Sequence, residues 1–189
     1  MTKPAPIPDV TARPQLAAMP ELDFRAVYHA QLTHVWHTLR RFGVHERDLE
    51  DLCHDVFVVF YRCRAEYDVT RPVRPWLSGI AFRVASDYRR RAQHRHEQPG
   101  EAPAPLSREP AADETLLARE RQDLVLAALQ ALDEPRRAIM IMHDLDEQPM
   151  PEIATVLGVP LNTAYSRLRL ARADFAAACK RLLARRRDA

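Results

Sequence analysis

The stretch PEIATVLGVPLNTAYSRLRLAR, residues 151–172, decides how this sequence is read. Ile153, Ala154 and Leu157 lie at i, i+1 and i+4, which gives one apolar face to a short helix beginning at Pro151. Gly158 can take the left-handed backbone that closes such a helix, and Pro160 prevents it from continuing. A second helix must start afresh, with Asn162 or Thr163 as candidate caps and Ala164, Leu168 and Ala171 as its buried stripe. This is the layout of a helix-turn-helix, in which the small Ala154 allows close crossing and the second helix is pushed outward. Asn162, Tyr165, Ser166 and Arg169 then face outward near the start of the second helix, where they can exchange hydrogen bonds with base edges in a major groove. Thr163, Arg167 and Arg172 flank that face and suit phosphates. A plain helical hairpin with a solvated basic face is the competing structural reading.

Working outward, the formal net charge of +2 over 189 residues conceals an uneven distribution. Five arginines (83, 89, 90, 91 and 95) crowd one stretch, and seven arginines with Lys180 fall between Arg167 and Arg187. Residues 96–113, by contrast, hold four prolines, several acids and almost no core-forming side chain, which marks an acidic linker between two small domains. The first domain is expected over 21–95 and the second over 114–185, with a proline-rich disordered tail over 1–20. Within the first domain, helical spacing of large apolar residues predicts two helices, from Phe24 to Leu39 and from Leu49 to Phe60. DVTRPVRP follows as a proline-broken loop, and WLSGIAFRVASDYRRRAQHR as a third helix that becomes basic towards its end. In LDEPRRAIMIMHDL, Asp133 is a candidate N-cap and Pro135 sits where a missing N–H does no harm. No strand pattern is convincing, so the fold is expected to be all-α.

Several function classes fit poorly. Three cysteines (Cys53, Cys63, Cys179) with no Cys-x-x-Cys pair suit neither a disulfide framework nor a common zinc site, and point to a reducing, cytoplasmic setting. No window reaches the apolar length of a membrane span, so no membrane insertion is expected. His34 and His37 stand three apart on a helix without a carboxylate or thiolate to complete a ligand set, so no metal and no cofactor is expected. With four glycines, and no glycine-rich phosphate loop or nucleophile elbow, the chain does not read as an enzyme.

Taken in order, these motifs resemble the bacterial sigma-70 family of RNA polymerase sigma factors, in its short two-domain extracytoplasmic-function (ECF) group. DLEDLCHDVFVVFYR resembles the helix that docks on the clamp of the polymerase β′ subunit, RPWLSGIAFRVASDYRRR the helix that opens and reads the −10 element, and the stretch from Leu132 to Phe175 the module that reads the −35 element. The resemblance implies an alternative sigma factor with two small helical domains, one sigma region 2-like and one region 4-like. Its implied partners are polymerase core (β′ clamp and β flap), promoter DNA and an anti-sigma factor. It assigns core docking to Asp48, Asp51, His54 and Asp55, and −10 recognition to Arg83, Asp87, Arg90 and Arg91. The melting step also calls for stacking partners, for which Tyr67 and the DVTRPVRP loop are the nearest candidates. The sequence departs from the family in having His54 where glutamine is common, Arg83 where asparagine is common, and Pro149 in place of a serine or threonine cap. The alternative is a one-component helix-turn-helix regulator that binds DNA without being a polymerase subunit.

Overall fold

The computed structural model describes residues 23–96 and 113–187. The expected tail and nearly all of the expected linker lie outside the described residues. Among the described residues every element is helical: α1 (Phe24–Arg41), α2 (Leu49–Cys63), α3 (Val73–His96), α4 (Asp113–Gln130), α5 (Glu134–Met140), α6 (Met150–Leu157) and α7 (Leu161–Arg187). Short 3-10 turns lead into α2 and out of it.

Local signals account for most helix ends. The Asp23 carboxylate accepts a hydrogen bond from the Ala26 amide (3.1 Å) at the start of α1, and the Asp133 carboxylate does the same for the Arg136 amide (2.9 Å) at the start of α5. Gly158 lies at φ 66, and the Val159 amide donates to the Ala154 carbonyl at 3.0 Å, so the break inside the helix-turn-helix is a left-handed helix terminus. Two starts differ from the sequence reading. The loop before α3 is shorter than expected, because Pro75 is accommodated inside the first helical turn, where its missing N–H has no intrahelical partner to lose. Asn162 and Thr163 lie within the first turn of α7 rather than capping it, since the helix already begins at Leu161 after Pro160.

The sequence pattern did not indicate a five-residue π-helical segment, Ile141–Leu145, that continues α5. The Asp146 amide reaches the Ile141 carbonyl at 2.9 Å, and the chain leaves through Glu147 in the left-handed region at φ 54, unusual for a residue other than glycine.

Helices α1, α2 and α3 pack on one another, as do α4, α5 and α6 with α7, and α3 meets α6 between the two groups. The buried apolar residues form one continuous cluster with two centres, a first core around Leu39, Phe42, Leu49, Phe57, Phe60 and Leu77 and a second around Leu129, Ile139, Ile141, Met142 and Ile153, all fully buried. Each such side chain contributes about 1.5–3 kcal/mol of burial. Tyr67 is in the first core too, in edge contact with Phe60 and Trp76, with its hydroxyl donating to the Arg71 carbonyl. It is therefore not free to stack on a base.

A polar seam joins the groups. Arg137 is buried and donates to the carbonyls of Leu129 (2.8 Å), Gln130 (3.0 Å) and Leu132 (2.7 Å), the last turn of α4 and its exit, to the Gln130 side chain (2.7 Å), and to the Phe42 carbonyl after α1 (3.4 Å). Gln130 in turn donates to the Arg41 carbonyl at 3.2 Å. His34 on α1 bonds the Ser78 hydroxyl on α3 (3.0 Å), and that hydroxyl accepts from Gln148 (2.7 Å).

Burial, reinforced by Arg74, Arg41 and His37, lowers the His34 pKa from its ordinary 6.5 to about 4. A depressed histidine pKa means that folding favours the neutral ring, so its contribution is present above pH 6.5 and is lost as pH falls towards 4. Burial raises the Asp146 pKa, which acts in the opposite sense on acidification. Denaturant unfolding at pH 7.5 and pH 5 should show a loss of stability in the wild type that His34→Gln lacks, by at most about 2 kcal/mol once the partial exposure of the ring is allowed for.

Candidate nucleic-acid interface

The helix-turn-helix presents α7 outward. Ala164, Leu168 and Ala171 are buried, while Asn162, Tyr165, Ser166 and Arg169 are exposed, Tyr165 at 52%. The anticipated base-facing set thus lies on one open helix face. Leu161, also exposed, extends that face by one residue towards the N-terminus, and an apolar side chain there could meet a thymine methyl. The sequence reading left Leu161 out because only the true start of α7 brings it into the row. Of the phosphate set, Thr163 and Arg167 are half-buried at the flanks.

Arg172 is exposed but not free. Its guanidinium makes a fork of two hydrogen bonds to Asp144 (2.8 and 2.7 Å), and His143 lies 2.7 Å from the same carboxylate. These bonds hold the Asp144 carboxyl below its ordinary pKa, with the Arg172 fork the largest cause. The π-helical segment carries both Asp144 and His143, and the Asp144 side chain meets α7 from there. No sequence signal marked this pair, because its members are 28 residues apart and meet only in the fold.

A second basic surface lies on α3. Arg83, Asp87 and Arg91, at i, i+4 and i+8, border a groove of about 290 Å³ between α2 and α3 whose other wall includes Asp55, Val59 and Cys63. Asp87 also pairs with Arg90, so all four residues assigned to −10 recognition occupy one side of the helix. Arg89, in the same basic run, points the other way and lies 2.8 Å from Glu134 of α5. Burial of Arg83 and Arg89 lowers both guanidinium pKa values without threatening their charge.

On α2, Asp51, His54 and Asp55 are exposed. His54 also borders an open apolar groove of about 510 Å³ walled by Phe24, Tyr28, Phe57 and Tyr61. Asp48 differs from its neighbours because it accepts a hydrogen bond from the Tyr88 hydroxyl of α3 at 2.7 Å. Burial first, then that bond, pushes the Tyr88 phenol up to about 12.

This geometry has counterparts among known proteins. Residues 27–95 match the family Sigma-70 region 2, and residues 122–175 match Sigma-70, region 4. The chain is 31% identical over 142 residues to the RNA polymerase sigma factor NccH of Alcaligenes xylosoxydans xylosoxydans, covering 73% of this chain and 76% of the relative. It is 29% identical over 146 residues to the sigma factor CnrH of Cupriavidus metallidurans, with the same coverage. CnrH in complex with the cytosolic domain of CnrY superposes with a TM-score of 0.61 at 25% identity, over 82% of this chain and 85% of that one. RpoE of Bartonella quintana, bound to the anti-sigma factor NepR, shares the fold with a TM-score of 0.67 at 20% identity, over 84% and 97%. An outward α7 after a left-handed break and a separate basic groove on α3 thus occur together in a chain that belongs to the sigma-70 family, as an alternative RNA polymerase sigma factor of the ECF group.

Proposed function

We propose that the two basic surfaces read the two promoter elements. Asn162, Tyr165, Ser166 and Arg169 of α7 contact base edges of the −35 element, with Thr163, Arg167 and Arg172 on the flanking phosphates. Arg83, Asp87, Arg90 and Arg91 of α3 engage the −10 element, where the groove beside them can follow a strand once the duplex opens. Asp48, Asp51, His54 and Asp55 dock on the β′ clamp, Asp48 with its carboxylate still accepting from Tyr88. The β flap would then hold residues 114–185 at the upstream element and leave residues 21–95 at the downstream one. The observation that carries the assignment is the exposed row on α7, aligned on one face by the buried Ala164, Leu168 and Ala171.

The function is recognition rather than catalysis, and its setting is the cytoplasm, where polymerase resides. No helix among the described residues is long and apolar enough to cross a membrane. The solved relatives are held by CnrY and by NepR, so a protein inhibitor of the anti-sigma kind is a partner of this chain too. The test is transcription from a promoter library by polymerase core with and without the protein. Core-dependent, promoter-selective initiation is expected, whereas duplex binding as a dimer without core would support a one-component regulator.

Two predictions follow from the α7 face. Tyr165→Ala and Arg169→Ala should each weaken −35-dependent initiation by about 1–3 kcal/mol for every base no longer read, while binding to core stays unchanged, as measured by competition between promoters. Asp144→Ala should release Arg172 to a phosphate, tighten duplex binding and steepen its log–log salt dependence by about 0.9. An unchanged slope would show that Arg172 does not engage a phosphate.

A further inference from the structure

The leading end of α7 carries no charge. From Gly158 to Ser166 the sequence reads GVPLNTAYS, and the first charged side chain of the helix is Arg167, on its flank. A helix that reads a major groove brings its N-terminal residues to the base edges, so this uncharged end is the part that reaches them. Two of its side chains are large, apolar in body and open to solvent, Leu161 at 42% and Tyr165 at 52%. They stand at i and i+4 and are neighbours on the helix surface, and Arg169 continues the same row at i+8. Leu161 begins the helix immediately after Pro160, so it projects at the tip.

The chemistry of the groove selects what such a pair can read. Against the amino group of cytosine, or the acceptors of guanine, Leu161 would take water from a hydrogen-bonding group and return nothing. The 5-methyl of thymine is the one apolar group on a major-groove edge, and there leucine and the face of a tyrosine ring bury carbon against carbon. Asn162 stands beside Leu161 and is exposed, and its amide can pair with both N6 and N7 of an adenine. The tip therefore complements A·T pairs. Arg169 lies eight residues further on, about 12 Å along the axis or three to four base pairs, and a guanidinium suits guanine.

A protein surface would be the other claimant to exposed apolar side chains. Asn162 and Ser166 stand between this pair and Leu170, the next exposed large apolar residue of α7, so the three form no continuous patch for a protein partner to cover. The pair is instead continuous with the row assigned to base edges.

We propose that Leu161, with Tyr165 beside it, is a methyl reader that makes the upstream element specific for thymine at one or two adjacent positions. Guanine follows within about four base pairs, on the side reached by Arg169. The inference rests on the assignment of α7 to the −35 element and supplies the base identity which that assignment leaves open.

The test uses holoenzyme assembled from polymerase core and the full chain, on a promoter from which it initiates. Each thymine of the upstream element is replaced singly by deoxyuridine, which removes the methyl and leaves every hydrogen-bonding group in place. Thymine should be favoured over uracil by about fourfold at one or two adjacent positions, the factor for one buried methyl group. Leu161→Ala should reduce that preference below about twofold, while Leu161→Met and Tyr165→Phe, which keep the apolar contact, should retain it. Alanine and methionine are both good helix formers, so a difference between the two variants reports the contact rather than folding. Equal initiation on thymine and uracil throughout an element where base-pair exchange still lowers initiation overturns the methyl reader and leaves the −35 assignment standing. A thymine preference that survives in Leu161→Ala overturns Leu161 as its source. Loss of core binding in Leu161→Ala with no change in thymine preference assigns the side chain to a protein contact and also overturns the proposal. Base-pair exchange without effect across the whole element overturns the −35 assignment itself.

Discussion

The buried guanidinium of Arg137 is the interaction on which the rest of the molecule depends. It donates to three carbonyls at the end of α4 and its exit, of which that of Leu129 also accepts from the Leu132 amide at 3.2 Å, and to one carbonyl beyond α1. Among the described residues no carboxylate bonds it, and burial lowers its pKa to about 10, which leaves it charged at any physiological pH. A charge so placed is tolerable only while its carbonyls hold their positions. The turn from α4 to α5 is fixed by that requirement. Asp133 can then cap α5, and α5 sets the height at which the π-helical segment meets α7.

How much of this was legible depended on how far apart the partners lie in sequence. The break at Gly158 and the cap at Asp133 are local, and both stand where the sequence put them. The buried stripe of α7 is a periodic signal within one helix, and it too was readable. The start of α3 was misplaced because Pro75 reads as a breaker when only its neighbours are considered, whereas in a first turn it breaks nothing. Tyr67 was misjudged for a different reason. An aromatic beside a proline-rich loop looks available until α2 and α3 close over it, and burial between Phe60 and Trp76 is a property of three segments together.

The candidate site shows the same division. The exposed row on α7 and the line of charges on α3 follow from helical periodicity. What periodicity cannot supply is engagement. Arg172, Asp48 and Arg89 all carry the charge expected of them, yet each is occupied by a partner from a different helix. The π-helical segment adds a further obstacle, since IMHDL has no composition that separates it from an ordinary turn of α-helix.

The hydrogen bond from Tyr88 to Asp48 gives α2 and α3 a shared carboxylate. A carboxylate can accept from several donors at once, and this one takes the phenol while the Arg47 guanidinium stands 3.5 Å from the same oxygen. Tyr88 stands one residue after Asp87 on the helix assigned to the downstream element. Tyr88 also lines the groove beside Asp87 and Arg91, so a single phenol reaches from the start of α2 to the basic groove on α3.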